Sequence, residues 1–300
     1  MEIRAARRAE APAALELLLA ECAPADRTPL AAGLLSQLPW SEEIAGGLFI
    51  ADHDGAIAGV GLGQVHGGRT GSVWRPRFPG EDVDALGGEL VRRSAAWLAA
   101  QDLGVLQSLV ATPDGVAATW LQQCGFAHVA RLGYLVWSDD HQALPVPSLR
   151  FTPVSPETSA ILAEVIEQSY LETLDCPTLN GVRTTPEVLE GYREIGEHWP
   201  DAWLIAWRDD RPIGCLILAD HPAANQCELV YMGLIPEARG QGLSGQFVAQ
   251  AKHLARERSR ARLVLAVDLQ NAPALRLYAN QGFDAWDERD VFVRINAAAR

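Results

Sequence analysis

A carboxylate and a phenol, Glu228 and Tyr278, flank a glycine-rich turn, Arg239-Gly240-Gln241-Gly242-Leu243-Ser244. The turn follows an apolar run that ends at Leu234 and is stopped by Pro236, and it opens into an amphipathic stretch that reads as a helix. The first N–H groups of a helix lack intrahelical partners and sit at the positive end of its dipole, so such a turn accepts a diphosphate. Gly240 and Gly242 permit close approach of phosphate oxygens and free the turn's dihedrals. Arg239 either supplies charge or holds the loop from below. There is no Gly-Lys-Ser/Thr of a nucleotide-binding P-loop, and the spacing is not GxGxxG with an acid about 20 positions on. Period-2 alternation puts Glu228, Val230 and Met232 on one face of the preceding strand, where an acid among apolar neighbours has a raised pKa; the other reading is an edge or surface carboxylate.

A second pattern follows at 271–283: Asn271-Ala272-Pro273-Ala274-Leu275-Arg276-Leu277-Tyr278-Ala279-Asn280-Gln281-Gly282-Phe283. Asn271 is a helix cap, Pro273 suits a first turn, and Gly282 supplies a left-handed stop before Phe283 enters a strand. Read from position alone, Tyr278 is equally a core residue.

The first segment resembles the acetyl-CoA signature of the GNAT acetyltransferases, (Arg/Gln)-x-x-Gly-x-(Gly/Ala), with Ser244 where Gly or Ala is usual. The second resembles the family's Asn-x-x-Ala-x-x-x-Tyr-x-x-x-Gly-Phe. The resemblance implies acetyl-CoA as cosubstrate, bound by the amides of Arg239, Gly240, Gln241, Gly242, Leu243 and Ser244, with Asn271 and Tyr278 beside it. It implies that the strand parts from its parallel neighbour near Leu234, so that Met232 and Leu234 face the pantetheine. It also implies that Tyr278 protonates the departing thiolate and that Glu228 is the base. An ammonium is not a nucleophile, so acyl transfer to an amine needs such a base.

These residues need a strand–turn–helix–strand–helix framework to hold them. The second half reads as helix 157–170, helix 186–197, strands 203–208, 212–219 and 226–234, helix 242–258, strand 262–268, helix 271–281 and strand 289–295. The fold class expected is α/β with a mixed, mostly antiparallel sheet, and a parallel pair astride the long helix. At 300 residues the chain is long enough for two domains of about 150. The Pro-containing stretch 141–149 is the expected linker between residues 1–140 and 150–300.

The halves share an order of features. GLFIADHDGAIAG at 47–59 answers to AWLIAWRDDRPIG at 202–214, each a hairpin, and WLQQCGF at 120–126 answers to LYANQGF at 277–283. The expectation is two tandem GNAT-like domains, an architecture similar to that of mycothiol-synthase-like proteins. The first is degenerate: it has no arginine in its turn, Asp82 and Asp84 face any diphosphate, Asp114 replaces Asn271 and Leu121 replaces Tyr278.

Around Leu171–Thr184 the second half carries an insertion that borders the acceptor channel in the family, and Asp175, Asn180 and Arg183 are the candidate substrate residues. Cys176, with no histidine in its segment, reads as a structural thiol. The formal charge of -13 opposes broad attraction to nucleic acid or an anionic membrane. Five scattered cysteines and seven histidines show no disulfide framework and no metal-ligand spacing, so no metal is expected and a reducing cytoplasm fits. No stretch reaches the ~20 apolar residues of a membrane span. The sequence thus points to acetyl transfer onto the amine of a small molecule. The alternatives left open are a protein amino group as acceptor and a non-catalytic acyl-CoA-binding sensor or scaffold; the oligomeric state is not indicated.

Overall fold

In the computed structural model, which describes residues 1–296, the chain divides into two units, Met1–Val129 with Asp290 onward, and Ala130–Arg289. The elements run β1 (Glu2–Arg7), α1 (Ala11–Leu18), α2 (Pro24–Gln37), β2 (Trp40–Ser41), β3 (Ile44–His53), β4 (Ala56–His66), β5 (Thr70–Val73), α3 (Asp84–Ala99), β6 (Val105–Ala111) and α4 (Gly115–Gln123). They continue with β7 (Ala127–Ser138), β8 (Arg150–Pro153), α5 (Ser159–Tyr170), α6 (Thr185–Arg193), β9 (Glu197–Arg208), β10 (Arg211–His221), β11 (Gln226–Leu234), α7 (Ser244–Glu257), β12 (Arg262–Asp268), α8 (Ala272–Asn280) and β13 (Asp284–Ile295).

Both units follow one plan. In the first, the strand path is β1-β3-β4-β5-β6 and then β13; in the second it is β8-β9-β10-β11-β12 and then β7. One parallel pair, β5 with β6 or β11 with β12, interrupts each antiparallel order, because α3 or α7 forms the crossover between its strands. The hairpins expected at 47–59 and 202–214 are β3–β4 and β9–β10. Each closes through two residues of positive φ, Asp54 and Gly55 in one and Asp209 and Asp210 in the other, the backbone that matches strand twist in two-residue turns.

The domain limits differ from the expected 1–140 and 150–300, of which 297–300 lie outside the described residues. The strand after α4 completes the second unit's sheet: β7 pairs antiparallel with β12 from Leu132↔Asp268 to Ser138↔Arg262. The last strand gives Asp290–Ile295 to the first unit, where Arg294 donates to the carbonyls of Cys124 and Ala95. Strand pairing is decided by register between distant segments, which local composition does not announce. Nor is 141–149 a free linker. Gln246 of α7 accepts from Ser148 and Leu149, His253 bonds the Pro145 carbonyl, and Arg256 pairs with Asp139. The helix expected over 186–197 stops at Arg193, because Gly196 turns left-handed and β9 starts at Glu197.

The second unit's core lies on both sides of its sheet. Leu162, Val165 and Ile166 of α5 cover one face; Phe247, Val248, Ala251 and Ala255 of α7 cover the other. Phe247 sits where a Cβ on Gly214 of β10 would lie 2.8 Å from its ring, so that glycine sets how closely α7 approaches. The end of the same helix is tied down by Asp220 of β10, 1% exposed, which accepts from Arg258 and Arg260.

Arg260's hydrogen bond holds the Asp220 carboxyl below the usual carboxylate range, against the opposing effect of burial. A depressed native pKa adds stability that is complete above the unfolded value of about 3.9 and fades as pH falls toward the native one. Asp220→Asn is therefore expected to cost about 2 kcal/mol at pH 7. In urea unfolding the gap from wild type should shrink near pH 3; an equal gap at both pH values would contradict this role.

Candidate functional site

The strand β11 joins β12 through only three register pairs, Gln226↔Arg262, Cys227↔Leu263 and Glu228↔Val264. Beyond them β11 runs on to Leu234 and β12 to Asp268 without pairing. The parting thus begins at Glu228, earlier than the expected position near Leu234. On its other edge β11 carries a bulge: Leu229 faces Leu218 of β10 and Tyr231 faces Ile217, leaving Val230 as the extra residue.

That bulge overturns the expected alternation. Leu218 and Ile217 point to opposite faces, so their partners Leu229 and Tyr231 do as well. Glu228 therefore shares Tyr231's face, on which Tyr231 bonds Ser169 of α5 at 2.7 Å. Met232 turns to the α7 face, as does Leu234, the partner of Gly214. Glu228 and Met232 lie on opposite faces of the sheet.

Between the parted strands opens a cleft of about 610 Å³. Its floor is formed by Met232, Leu234, Leu265 and Val267, its far wall by Tyr278 of α8, and its mouth by the turn before α7. Of the expected cofactor contacts, Met232, Leu234, Arg239, Gly240, Gly242, Leu243, Ser244, Asn271 and Tyr278 all line it. Gln241 does not: its side chain accepts from Arg208 and donates to the Glu237 carbonyl.

Local sequence explains the turn. Pro236 begins a single 3₁₀ turn to Ala238, and Gly240 and Gly242 then take φ of +71° and +73°. At both positions a Cβ would meet nothing within 4 Å, so their dihedrals, not crowding by the protein, require glycine there. Among the described residues, the N–H groups of Gly240, Gln241, Gly242 and Leu243 have no carbonyl partner. Four free donors at the start of α7 form a nest for an anion such as a diphosphate. Of the two roles open to Arg239, the structure selects the second. Its guanidinium donates to the carbonyls of Leu234, Leu171 and Ser169, fastening the turn to the end of α5.

At the other end, Asn271 caps α8 by accepting from the Ala274 N–H at 3.2 Å, and Gly282 stops the helix at φ +73°. Lys252 of α7, held between the rings of Trp137 and Phe283, donates to the Gln281 carbonyl at the end of α8. These contacts seat Tyr278, which is 7% exposed and packs against Phe283. Burial, and secondarily the charge of Asp175, raise its phenol well above the ordinary value. Among the described residues no group bonds its hydroxyl.

The three candidate substrate residues separate. Asp175 lines the cleft, and its Oδ1 accepts from the Asp268 N–H at 2.9 Å, closing the loop onto the end of β12. Desolvation there raises its carboxyl. Asn180 donates to the Tyr170 carbonyl, and Arg183 acts on the hydroxyl pair of Tyr170 and Tyr192, so neither reaches the cleft lining. The Cys176 thiol is pushed up to about 12 by burial, then by its two acidic neighbours, which makes it no nucleophile near neutral pH. Glu228 also lies just outside the lining, which on β11 starts at Leu229; its partner is His221, at 2.9 Å. Sequence reasoning missed His221, whose proximity to Glu228 arises only from the pairing of β10 with β11.

The corresponding place in the first unit is filled. Arg75 bridges Asp82, at 2.7 Å, and Asp114, the cap of α4. Trp120 packs over Gly87 near the start of α3, and Leu121, in the place of Tyr278, is core.

Residues 168–283 match the family model described as the acetyltransferase (GNAT) family. Over 119 residues the chain is 30% identical to a mycothiol acetyltransferase of Acidothermus cellulolyticus, an alignment covering 34% of this chain and 36% of that protein. The chain thus covers little more than a third of that relative's length. A GCN5-related N-acetyltransferase from Sphaerobacter thermophilus superposes with a TM-score of 0.71 at 19% identity, over 98% of this chain and 95% of that one. A tandem GNAT protein from the clavulanic acid biosynthesis pathway superposes at 0.58 and 16% identity, over 98% of each chain. The two superpositions bear on fold alone, and the family match covers the segment that holds the glycine turn, the parted strands and Tyr278. The likeness to the GNAT acetyltransferase family is carried by that segment.

Proposed function

We propose that the chain transfers an acetyl group from acetyl-CoA to a primary amine. The observation that carries this reading is one cleft with unpartnered N–H groups at its mouth, unpaired strand edges along its length and a buried phenol at its end. A diphosphate would take the donors of Gly240 to Leu243, and pantetheine amides would take the ladder positions left open beyond Glu228 and Val264. The cosubstrate brings a thioester carbonyl, an electrophile with a stable leaving group.

The protein's part is to manage protons on both sides of that carbonyl. Glu228, on the face opposite α7, takes a proton from an acceptor ammonium approaching from the α5 side. Tyr278, on the α7 side, donates its hydroxyl to the departing sulfur. Its raised pKa keeps it protonated at neutral pH, so that it holds a proton to give to the departing sulfur. Acid and base flank the gap because the bulge at Val230 keeps Glu228 on one face while α8 presents Tyr278 from the other.

One observation favours a second base, Asp175: it lines the cleft itself, its carboxyl is raised, and its charge acts on Tyr278. Its hydrogen bond to Asp268 favours instead a role in closing the cleft on the acceptor side. A small-molecule amine is the acceptor class we favour over a protein amino group. Acyl transfer is favoured over a silent acyl-CoA sensor because phosphate nest, phenol and carboxylate occur together. The mycothiol acetyltransferase likeness covers too little of either chain to assign its substrate here. All five cysteines are free thiols, in keeping with a reducing cytoplasm. We assign the first unit no acetyl-CoA site, since Arg75, Asp82, Asp114 and Trp120 occupy the equivalent ground.

Acetyl-CoA consumption against amines, amino acids, aminoglycosides and lysine peptides is expected to identify one accepted class. On that acceptor Tyr278→Phe should lower kcat about 100-fold with KM for acetyl-CoA little changed; undiminished turnover would remove Tyr278 from the chemistry. Gly242→Asp, which adds a charge and a Cβ at positive φ, should weaken acetyl-CoA binding at least about tenfold, or about 1.4 kcal/mol, and unchanged affinity would refute the phosphate nest. Calorimetric titration should give one acetyl-CoA per chain, whereas two comparable sites would refute the silent first unit.

A further inference from the structure

Glu228 is held in place by its neighbour. His221 ends β10, and its Nε2 lies 2.9 Å from Glu228 Oε2, the imidazole donating. The two side chains are 26% and 31% exposed, so the pair sits at the sheet surface within reach of solvent. Against the imidazole lies Gly196, in the turn between α6 and β9. That residue has φ +56°, and a Cβ on it would fall 2.8 Å from His221 Cε1 and 2.9 Å from Nε2. Any side chain at 196 would collide with the Asp220 carbonyl, 2.6 Å away, as well as with the ring.

The charged neighbours leave Glu228 as the ring's partner. Asp220, adjacent on β10, has both oxygens engaged by Arg258 and Arg260, and Glu197 of β9 acts on Arg260. Tyr134 of β7 feels the charge of Glu228, along with those of Arg289 and Asp287, which pair with each other.

Resting on the reading of Glu228 as the base, we propose that His221 is a positioning residue: it fixes Oε2 so that Oε1 is the atom that takes the acceptor's proton. An ammonium proton of the acceptor passes to Oε1, the freed lone pair on nitrogen forms the bond to the acyl carbon, and the C–S bond breaks as Tyr278 protonates the departing sulfur. The surplus proton on the amide nitrogen restores the phenol through solvent, and the proton on the carboxyl leaves for water, regenerating the carboxylate. A neutral imidazole supplies one hydrogen bond and leaves the carboxylate basic, whereas an imidazolium makes an ion pair and a weaker base. The hydrogen bond to Glu228 raises His221 above its ordinary value of about 6.5, against the effect of burial. Turnover should therefore fall as pH drops through that raised value.

Two readouts on the full chain test the proposal. In NMR titration without acetyl-CoA, the imidazole should titrate above 6.5 in wild type and fall back toward it in Glu228→Gln; an unchanged titration would overturn the pairing. In kinetics, His221→Ala should lower kcat about tenfold or more, with KM for acetyl-CoA within about twofold. His221→Gln, which keeps a donor but does not titrate, should restore most of kcat and abolish the acid limb that the imidazole sets on kcat/KM. Wild-type kcat in His221→Ala, or a Gln variant as slow as Ala with the limb unmoved, would overturn the positioning role. Full turnover in Glu228→Gln would remove the base reading itself, and the proposal with it. Lost turnover in that variant with an unchanged imidazole titration would overturn only the pairing.

Discussion

Three hydrogen-bonded register pairs hold β11 to β12 before the strands part, and the geometry of the cleft follows from where that pairing stops. A strand pair that separates inside a sheet leaves backbone donors and acceptors without partners, a cost that a buried site tolerates only if something else can take them. Here the opening is maintained from several sides. The bulge at Val230 bends β11. Arg239 ties the following turn to α5, and Lys252 fixes the end of α8 that carries Tyr278. The parted strands are thus the common element to which phosphate nest, phenol and carboxylate are each indexed.

The first unit keeps the same plan, its parallel strands also pairing at only three positions, but fills the ground beside them. It keeps the strand order, the hairpin turn, the parallel pair and the helix after it, yet an arginine lies between two aspartates where the second unit leaves free N–H groups. A large indole takes the volume over Gly87. Fold and site are separable properties of one architecture: packing alone preserves the first, and a few residues at the start of one helix decide the second.

Much of this was legible in the sequence because the signals are local. Gly240 and Gly242 at positive φ, Pro236 before the turn, Asn271 as a cap and Gly282 as a stop each act over a few residues, and each did what its type and position imply. Most helices and strands of the second half fell close to where their periodicity put them, while β9 and β13 begin six and five residues earlier than expected. What escaped is non-local. The bulge that moves Met232 to the face opposite Glu228 exists only in the pairing of β11 with β10. The assignment of β7 and the end of β13 to different units than composition suggested rests on register across most of the chain. The side chains of Gln241 and Asn180, polar and well placed in sequence, proved to be engaged with Arg208 and with the Tyr170 carbonyl.

The most direct measurement of the central claim is a crystal structure of the chain with acetyl-CoA. The account predicts the diphosphate on the N–H groups of Gly240 to Leu243, the pantetheine between β11 and β12 beyond Glu228, and the sulfur beside the Tyr278 hydroxyl. A cosubstrate bound elsewhere, with the parted strands still unbridged, would contradict it.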